Sequence, residues 1–223
     1  MTDKERSIVT VAVLGGTGKE GSALAMRWAL HGYRVIIGSR DGDRAKARAD
    51  ELNQQLEGEY LTGMENRAAA QQAVLVVLTV PYSAHKDTLE SVKSYLDGKL
   101  LVDVTVPIIP PKIRTVSVPE GKAAALEARA LLGDGVRIVS AFQNVSHEKL
   151  SDPHAEVDCD ILITGDDDDA KQEVVKLVEA AGMRGIDAGS LENAVAAEAL
   201  APVLVYINRK YKVKGAGIRI TGI

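Results

Sequence analysis

The segment TVAVLGGTGKEGSAL, residues 10–24, constrains the fold of this chain more than any other part of the sequence. It places an apolar run directly before the pattern G-x-G-x-x-G, and a stretch typical of a helix follows. In that context the first glycine permits a tight turn, the second lets a pyrophosphate approach the backbone, and the third lets helix pack on strand. Free N–H groups and the helix dipole favour an anion there. We therefore predict a dinucleotide-binding turn formed by Gly16, Thr17, Gly18, Lys19, Glu20 and Gly21.

Strand-like and helix-like segments alternate along the whole chain. Short β-branched runs without polar alternation indicate parallel strands covered on both faces, and the Ala-, Leu-, Glu- and Lys-rich stretches between them suit helices. The pattern predicts an α/β fold with a doubly wound parallel sheet, which is Rossmann-like because of the glycine turn. The predicted strands are 8–14, 34–39, 74–80, 100–106 and 136–142, and the predicted helices include 20–32, 43–58 and 83–98.

A shorter strand-helix-strand unit repeats this theme near the C-terminus, over residues 160–189, and a last helix is predicted over 194–208. The chain is therefore predicted to have two parts: a nucleotide-binding Rossmann domain, residues 1–139, and a small C-terminal α/β domain, residues 140–223.

The end of the second predicted strand indicates which dinucleotide is bound. NAD sites place an Asp or Glu about 20 residues after the glycines, where it accepts a hydrogen bond from the ribose 2′-OH. This chain has Ser39 and Arg40 at that place, with Arg44 one helical turn further on. A hydroxyl and a guanidinium suit a 2′-phosphate because Arg makes paired, charge-assisted bonds to phosphate oxygens. The cofactor is therefore predicted to be NADP, with Asp41 as the N-cap of the following helix.

Three further segments lie at the carboxyl ends of later predicted strands, the edge where an open α/β sheet binds ligands. They are Thr79-Val80-Pro81, Thr105-Val106-Pro107 and Phe142-Gln143-Asn144. None contains a plausible nucleophile, and no His, Asp or Glu group has the spacing of metal ligands. We therefore expect no catalytic side chain and no metal site, and we expect the cofactor to carry the chemistry as a hydride transfer.

Composition excludes several classes of partner. The 223-residue chain has 27 basic and 31 acidic side chains, a formal charge of -4, and no block of Lys and Arg, so we expect no nucleic-acid partner. The longest apolar stretch, 194–208, is interrupted by Glu198 and Pro202 and is too short to span a bilayer, so it is read as a buried or dimer-facing helix. Residues 1–7 lack the apolar core of a signal peptide, which predicts a cytoplasmic protein.

Several residues that resemble functional groups have simpler interpretations. Acidic residues 166–169 precede a helix and are expected to cap it. His85 is expected at a solvated helix position, although a ligand contact stays open. The single cysteine, Cys159, is expected to be a small apolar filler.

In their order along the chain, the motifs VLGGTG, GSRD, TGMEN, LTVP, VSAFQNV, GDDDDAK and DAG resemble the NADPH-dependent coenzyme F420 reductases, also called F420:NADP oxidoreductases. The resemblance covers nearly the whole chain. It implies reversible hydride exchange between NADPH and the deazaflavin coenzyme F420, two small-molecule coenzyme substrates. It also implies a homodimer whose small C-terminal region helps to enclose the deazaflavin.

The resemblance implies roles for individual residues. Thr17, Ser39, Arg40 and Arg44 would hold the NADP phosphates, and Val80 and Pro81 would lie near the pyridine half; Thr79, just before them, is a further candidate cofactor-binding residue. Val106, Gln143, Asn144, Val145 and the last helix would border the deazaflavin. Gln143 departs from the family pattern, which has His there; an amide can hydrogen-bond a ring carbonyl but carries no charge near neutral pH.

The residues alone leave two other functions open. One is an NADPH-dependent reductase of another acceptor, such as an imine or a metal chelate. The other is a non-catalytic module that senses NADP.

Overall fold

The computed structural model describes residues 8–223, so the expectation based on residues 1–7 lies outside the described part. Within that part the strands are β1 Thr10–Leu14, β2 Arg34–Ser39, β3 Leu61–Glu65, β4 Leu75–Leu78, β5 Leu100–Asp103, β6 Arg137–Ser140, β7 Asp160–Gly165 and β8 Arg184–Asp187. The helices are α1 Lys19–Leu30, α2 Gly42–Gln55, α3 Asn66–Gln72, α4 Tyr82–Val92, α5 Ala124–Leu132, α6 His147–Leu150, α7 Asp168–Ala180 and α8 Ala194–Tyr211, with 3-10 turns at Lys93–Tyr95 and Leu191–Asn193.

The described strands form one sheet in the order β3-β2-β1-β4-β5-β6-β7-β8. Each neighbouring pair is parallel except β6 and β7, which pair antiparallel through Val139 with Gly165 and Ser140 with Thr164. An antiparallel pair needs no helical crossover, and the segment between these strands carries only the four-residue α6. The doubly wound, Rossmann-like prediction is confirmed, with this one reversal. The sheet continues across residue 139, and the proposed domain boundary there stays a prediction.

Apolar side chains cover both faces of the sheet, which is why its strands show no polar alternation. Along β1, Val11 and Val13 pack in one core cluster with α1, α2 and α7, whereas Ala12 and Leu14 pack in the other cluster with α3, α4 and α5. In the first cluster the ring of Trp28 meets Phe142 edge-on, with centroids 5.8 Å apart. The N-terminal and C-terminal parts therefore share one core.

Three predicted strands end earlier than expected. The predictions 74–80, 100–106 and 136–142 run past the ends of β4, β5 and β6, at Leu78, Asp103 and Ser140. Their last residues leave the hydrogen-bonded ladder because they form the loops at the carboxyl edge of the sheet. The prediction also missed β3, a short strand with one buried residue, Leu61.

The C-terminal segment is held against β7 by a buried carboxylate. Asp160 accepts bonds from Arg184 Nη2 at 2.6 Å, Arg219 Nη1 at 3.1 Å and the Ile220 N–H at 2.6 Å. Hydrogen bonds from Arg184 hold the pKa of Asp160 at about 2. These contacts fix the chain end beside β7, close to the loops that follow β6.

Candidate functional site

A cleft of about 970 Å³ opens at the carboxyl edge of the sheet. The glycine turn, the loops after β2, β4, β5 and β6, and one face of α8 form its walls. All the predicted site residues line it except Gly16 and Gly21, which pack behind it. The sequence therefore identified residues that the fold brings together, and their individual roles stay predictions.

The glycine turn divides its functions among four glycines. The left-handed backbone lies at Gly15, with φ 80°, and not at Gly16, to which the motif assigns the turn. A Cβ on Gly16 would lie 2.7 Å from the Val13 carbonyl oxygen, and one on Gly21 would lie 2.5 Å from Thr79 Oγ1. Gly16 and Gly21 are therefore required for close packing of the turn against β1 and β4.

Gly18 faces the cleft. It is the N-cap of α1 in an extended conformation, and a Cβ there would meet only the Gly15 oxygen, at 3.3 Å. The first N–H groups of α1 have no partner within the helix. Space above Gly18 and these donors suit the pyrophosphate of a dinucleotide.

The end of β2 presents two guanidinium groups to the cleft. Asp41 caps α2 by accepting the Arg44 N–H at 3.1 Å, as predicted, and Ser39 Oγ accepts the Asp41 N–H at 3.2 Å. Arg40 and Arg44 are exposed and line the cleft, and neither has a carboxylate within ion-pair distance in the described chain. Both charges are available to an anion such as a 2′-phosphate.

Three buried polar atoms at the cleft have no partner in the described part of the protein. They are Asn66 Oδ1, Thr105 Oγ1 and Gln143 Oε1, and all three residues line the cleft. Buried polar atoms are nearly always paired, so these three unpaired atoms mark where a ligand or a small side-chain movement would supply a partner. The sequence carries a weak signal for the first two: Asn66 closes the TGMEN motif, and Thr105 belongs to the segment Thr105-Val106-Pro107 expected at the ligand-binding edge.

Asp103, at the end of β5, organises the groups around two of these atoms. Its Oδ1 accepts the Thr105 N–H at 3.0 Å, and its main-chain oxygen accepts Gln143 Nε2 at 2.7 Å. Its Oδ2 lies 2.7 Å from His85 Nε2. The expectation that His85 is solvated is therefore wrong: α4 packs over the end of β5, and His85 is only 2% exposed. Burial opposes its protonation, but the Asp103 carboxylate outweighs burial and raises the pKa of His85.

The backbone before Gln143 adopts an unusual conformation. Phe142 has φ 75°, a left-handed value that is rare for a bulky residue. Its edge-on packing against Trp28 holds it in place. The next side chain, Gln143, is thereby fixed between β5 and β6, where Nε2 also donates to Ser140 Oγ at 2.9 Å.

Asn144 and Glu198 connect the walls of the cleft. Asn144 Nδ2 donates to the Asp160 main-chain oxygen at 2.7 Å and so ties the loop after β6 to β7. Glu198 of α8 accepts the N–H groups of Ala124 and Ala125, at 2.7 and 3.1 Å, and caps α5 from outside. Burial raises the pKa of Glu198 to about 8.

The remaining candidate groups have structural roles. Asp167 caps α7 by accepting the Ala170 N–H at 2.8 Å, which confirms the predicted cap. Cys159 is a buried free thiol, as expected of a filler, and burial raises its pKa. Within residues 8–223, no group of His, Cys, Asp and Glu is placed to hold a metal ion, and no helix is long and apolar enough to cross a membrane.

A family model and several full-length relatives are similar to this chain by sequence. The family model described as NADP oxidoreductase coenzyme F420-dependent matches residues 10–107. The F420-dependent NADP reductase of Methanothermobacter marburgensis is 43% identical over 96% of this chain and 98% of its own length. The protein of the same name from Methanocaldococcus jannaschii is 38% identical, again over 96% and 98%.

One solved structure shows the same fold. A hypothetical protein from Sinorhizobium meliloti superposes with a TM-score of 0.69 over 86% of this chain and 88% of that chain, at 24% identity. At this identity the likeness shows the fold alone.

Proposed function

The chain belongs to the family of F420-dependent NADP reductases, and we propose that its cleft binds NADPH and coenzyme F420 side by side for hydride transfer between them. The protein is an NADP-dependent oxidoreductase with these two coenzymes as substrates. The observation that carries the proposal is the cleft itself. It joins an open glycine turn and two unpaired arginines at one end to unpaired acceptor atoms at the other.

We assign the dinucleotide to the N-terminal side of the cleft. The N–H groups around Gly18 would hold the pyrophosphate, and Arg40 and Arg44 would hold the 2′-phosphate. Val80 and Pro81, after β4, would place the nicotinamide. Gly15 and Gly21 let the turn pack closely on Val80 and Thr79, and a Cβ on Gly18 would meet only the Gly15 oxygen, which supports this assignment.

We assign the deazaflavin to the side formed by Val106, Gln143–Val145 and α8. Gln143 Oε1 and Thr105 Oγ1 are suited to orient a polar ring edge, and aliphatic side chains of α8 such as Leu204 would cover its face. With both coenzymes bound, the nicotinamide and the deazaflavin would supply the chemistry, a reversible hydride exchange between them. The protein's contribution is to hold the two rings in contact and to exclude water, which needs no acid or base among its side chains.

Further parts of the proposal concern organisation. We assign residues 1–139 to NADP binding and 140–223 to the acceptor side and dimerisation. A homodimer is supported by the exposed apolar side chains of α8, where Val203 is 42% and Tyr206 is 54% exposed. The mass of the protein in solution, measured by light scattering, tests this assignment. A cytoplasmic location is supported by the single unpaired cysteine.

The function is tested by mixing the protein with NADPH and oxidised F420 and following the visible band of the deazaflavin. We expect the band to bleach with NADPH and far more slowly with NADH. Parallel reactions with a cyclic imine and a ferric chelate serve as comparisons. Turnover of those acceptors without bleaching of F420 would contradict the assignment, as would tight NADP binding without any turnover.

A further inference from the structure

A second opening, a groove of about 660 Å³, adjoins the cleft. Lys19 and His147 line both, so the two openings lie side by side. We call this opening the basic groove. Its charged and titratable lining residues are Lys19, Arg48, His147, Lys149 and Lys214, with Glu148 as the acidic one.

The three lysines of the basic groove are exposed and unpaired. Lys19, Lys149 and Lys214 have no carboxylate within ion-pair distance in the described chain, whereas Arg48 is held by Glu51 at 2.8 Å. The whole chain has a formal charge of -4. Three lysines without an ion-pair partner, beside one carboxylate, Glu148, give the groove a net positive charge in an acidic protein and a local field that attracts anions.

The fold holds two of these lysines beside each other. The stem of Lys149 packs on Gly215, where an added Cβ would lie 2.5 Å from Lys149 Cγ. The loop that carries Lys214 is tied to α8, since Asn208 Oδ1 accepts the Ala216 N–H at 2.7 Å and the Asn208 main-chain oxygen accepts the Val213 N–H at 3.1 Å. The two ammonium groups are thus brought to one rim by the packing of α6 against the C-terminal segment.

The position of this charge separates it from the proposed NADP site. The groups assigned to the NADP phosphates all line the cleft, but Lys149 and Lys214 do not. Lys149 instead lies four residues after Val145, the end of the segment proposed to border the deazaflavin. The basic groove thus has two walls: residues of α1 and α2, including Lys19 and Arg48, form one, and residues 147–151 with Lys214, which follow the acceptor side of the cleft, form the other.

We propose that the basic groove binds the anionic side chain of the acceptor coenzyme. This inference rests on the proposed function, because coenzyme F420 is a deazaflavin whose side chain carries a phosphodiester followed by glutamyl carboxylates. Flexible, exposed ammonium groups suit such a chain: each acts as a point charge and requires no fixed planar partner. The cleft recognises the ring, and the basic groove recognises the acidic tail.

The test compares three acceptors in the wild type and in the Lys149→Met/Lys214→Met variant. Methionine keeps an apolar stem for packing on Gly215 but removes the charge. The acceptors carry the same ring with a sugar alcohol only, with the phosphodiester added, or with the full glutamyl chain. Each exposed charge contact is worth up to about fivefold in affinity, so we expect the KM of the full coenzyme to rise about tenfold at low salt.

The kcat for the full coenzyme, the KM for NADPH and all constants for the ring with a sugar alcohol only should not change. Added salt should raise the wild-type KM for the full coenzyme more than that of the variant. Lys86→Met is the control for bulk charge: Lys86 is exposed on α4, which packs in the other core cluster, and its one ion pair, with Glu90 at 3.9 Å, joins two exposed side chains. If the variant loses affinity only for the acceptor with the full glutamyl chain, the lysines contact the carboxylates. If it already loses affinity for the acceptor with the phosphodiester, the lysines contact that group. Both outcomes support the inference.

Equal KM values for the full coenzyme in wild type and variant would overturn the inference while leaving the proposed function intact. An equal loss in Lys86→Met would also overturn it, since bulk charge would then explain the effect. Failure of the wild type to reduce any of the three acceptors would overturn the proposed function and, with it, this inference.

Discussion

Replacing Gly18 with alanine separates the ligand-binding part of the glycine turn from its structural part. The backbone at Gly18, with φ -75° and ψ 163°, is allowed for alanine. The added Cβ would meet only the Gly15 oxygen, at 3.3 Å. Such a replacement stabilises a protein by about 0.4 to 1 kcal/mol through the unfolded chain, and the slightly tight contact offsets this. We expect unfolding free energy to change by less than about 1 kcal/mol and Tm by less than about 4 °C.

The same methyl group occupies the space proposed for the pyrophosphate. Loss of charge-assisted bonds from the turn costs about 1.5 to 3 kcal/mol, which weakens NADPH binding roughly ten- to a hundredfold. Gly21→Ala is the matched comparison, because its Cβ would lie 2.5 Å from Thr79 Oγ1 and 2.9 Å from the Gly16 Cα. Overpacking costs about 1 to 3 kcal/mol. Loss of the Thr79–Leu14 hydrogen bond costs about 1 kcal/mol, and the higher helix propensity of alanine offsets it by about the same amount. We expect its Tm to fall by roughly 2 to 12 °C.

The assay is a fluorescence titration of each variant with NADPH, beside thermal unfolding followed by circular dichroism. The expected result is a stable Gly18→Ala protein that binds poorly and a less stable Gly21→Ala protein. If Gly18→Ala bound NADPH within twofold of the wild type, the pyrophosphate would lie elsewhere and the reasoning from the open Cβ position would be refuted.

Three further changes test other parts of the molecule. Arg40→Ala should weaken NADPH roughly ten- to a hundredfold and NADH hardly at all in parallel titrations, and equal losses would contradict a 2′-phosphate contact. Gln143→Ala should lower kcat/KM for the acceptor roughly two- to thirteenfold and leave NADPH affinity unchanged. Gln143→His should add at most a pH dependence near about 6.5. Unchanged acceptor kinetics in the alanine variant would show that Gln143 does not contact the acceptor. Asp160 has its pKa lowered to about 2 by Arg184, so its stabilisation is present above the unfolded value of about 3.9 and is lost as pH falls through 2. Asp160→Asn should therefore cost about 2 kcal/mol in urea unfolding at pH 7 and show a flatter decline between pH 4 and pH 2, and parallel curves for the two proteins would contradict this.

The sequence predicted the parts of the fold that repeat a strong local pattern. β1, β2, β4, β5 and β6 are continuous apolar runs, and burial on both faces of a parallel sheet requires such runs. β3 is not predicted from the sequence, because a strand with one buried residue has few apolar side chains to indicate it. The antiparallel pairing of β6 with β7 is also not predicted from the sequence. Strand direction depends on the path of the connecting residues 141–159 and not on the composition of either strand.

In the site, the sequence predicted what the backbone needs and missed what distant side chains do. Glycines, and a polar residue after a strand, report requirements that are local in sequence. His85 and Asp103 are 18 residues apart, and Glu198 caps α5 from 74 residues away. The sequence around each residue therefore gives no indication of its partner. A histidine in a polar helix is thus predicted from the sequence to be solvated, although the end of β5 lies beneath it.

The unpaired atoms of Thr105 and Gln143 follow from the same long-range arrangement. Asp103 uses its carboxylate on the Thr105 N–H and on His85, and its carbonyl on Gln143 Nε2, so it holds both residues without satisfying the Thr105 hydroxyl or the Gln143 carbonyl. A protein that needed only stability would pair or remove these atoms, because each buried orphan costs about 1 to 3 kcal/mol. Rigid support behind unpaired atoms is the arrangement expected where binding depends on orienting a ring.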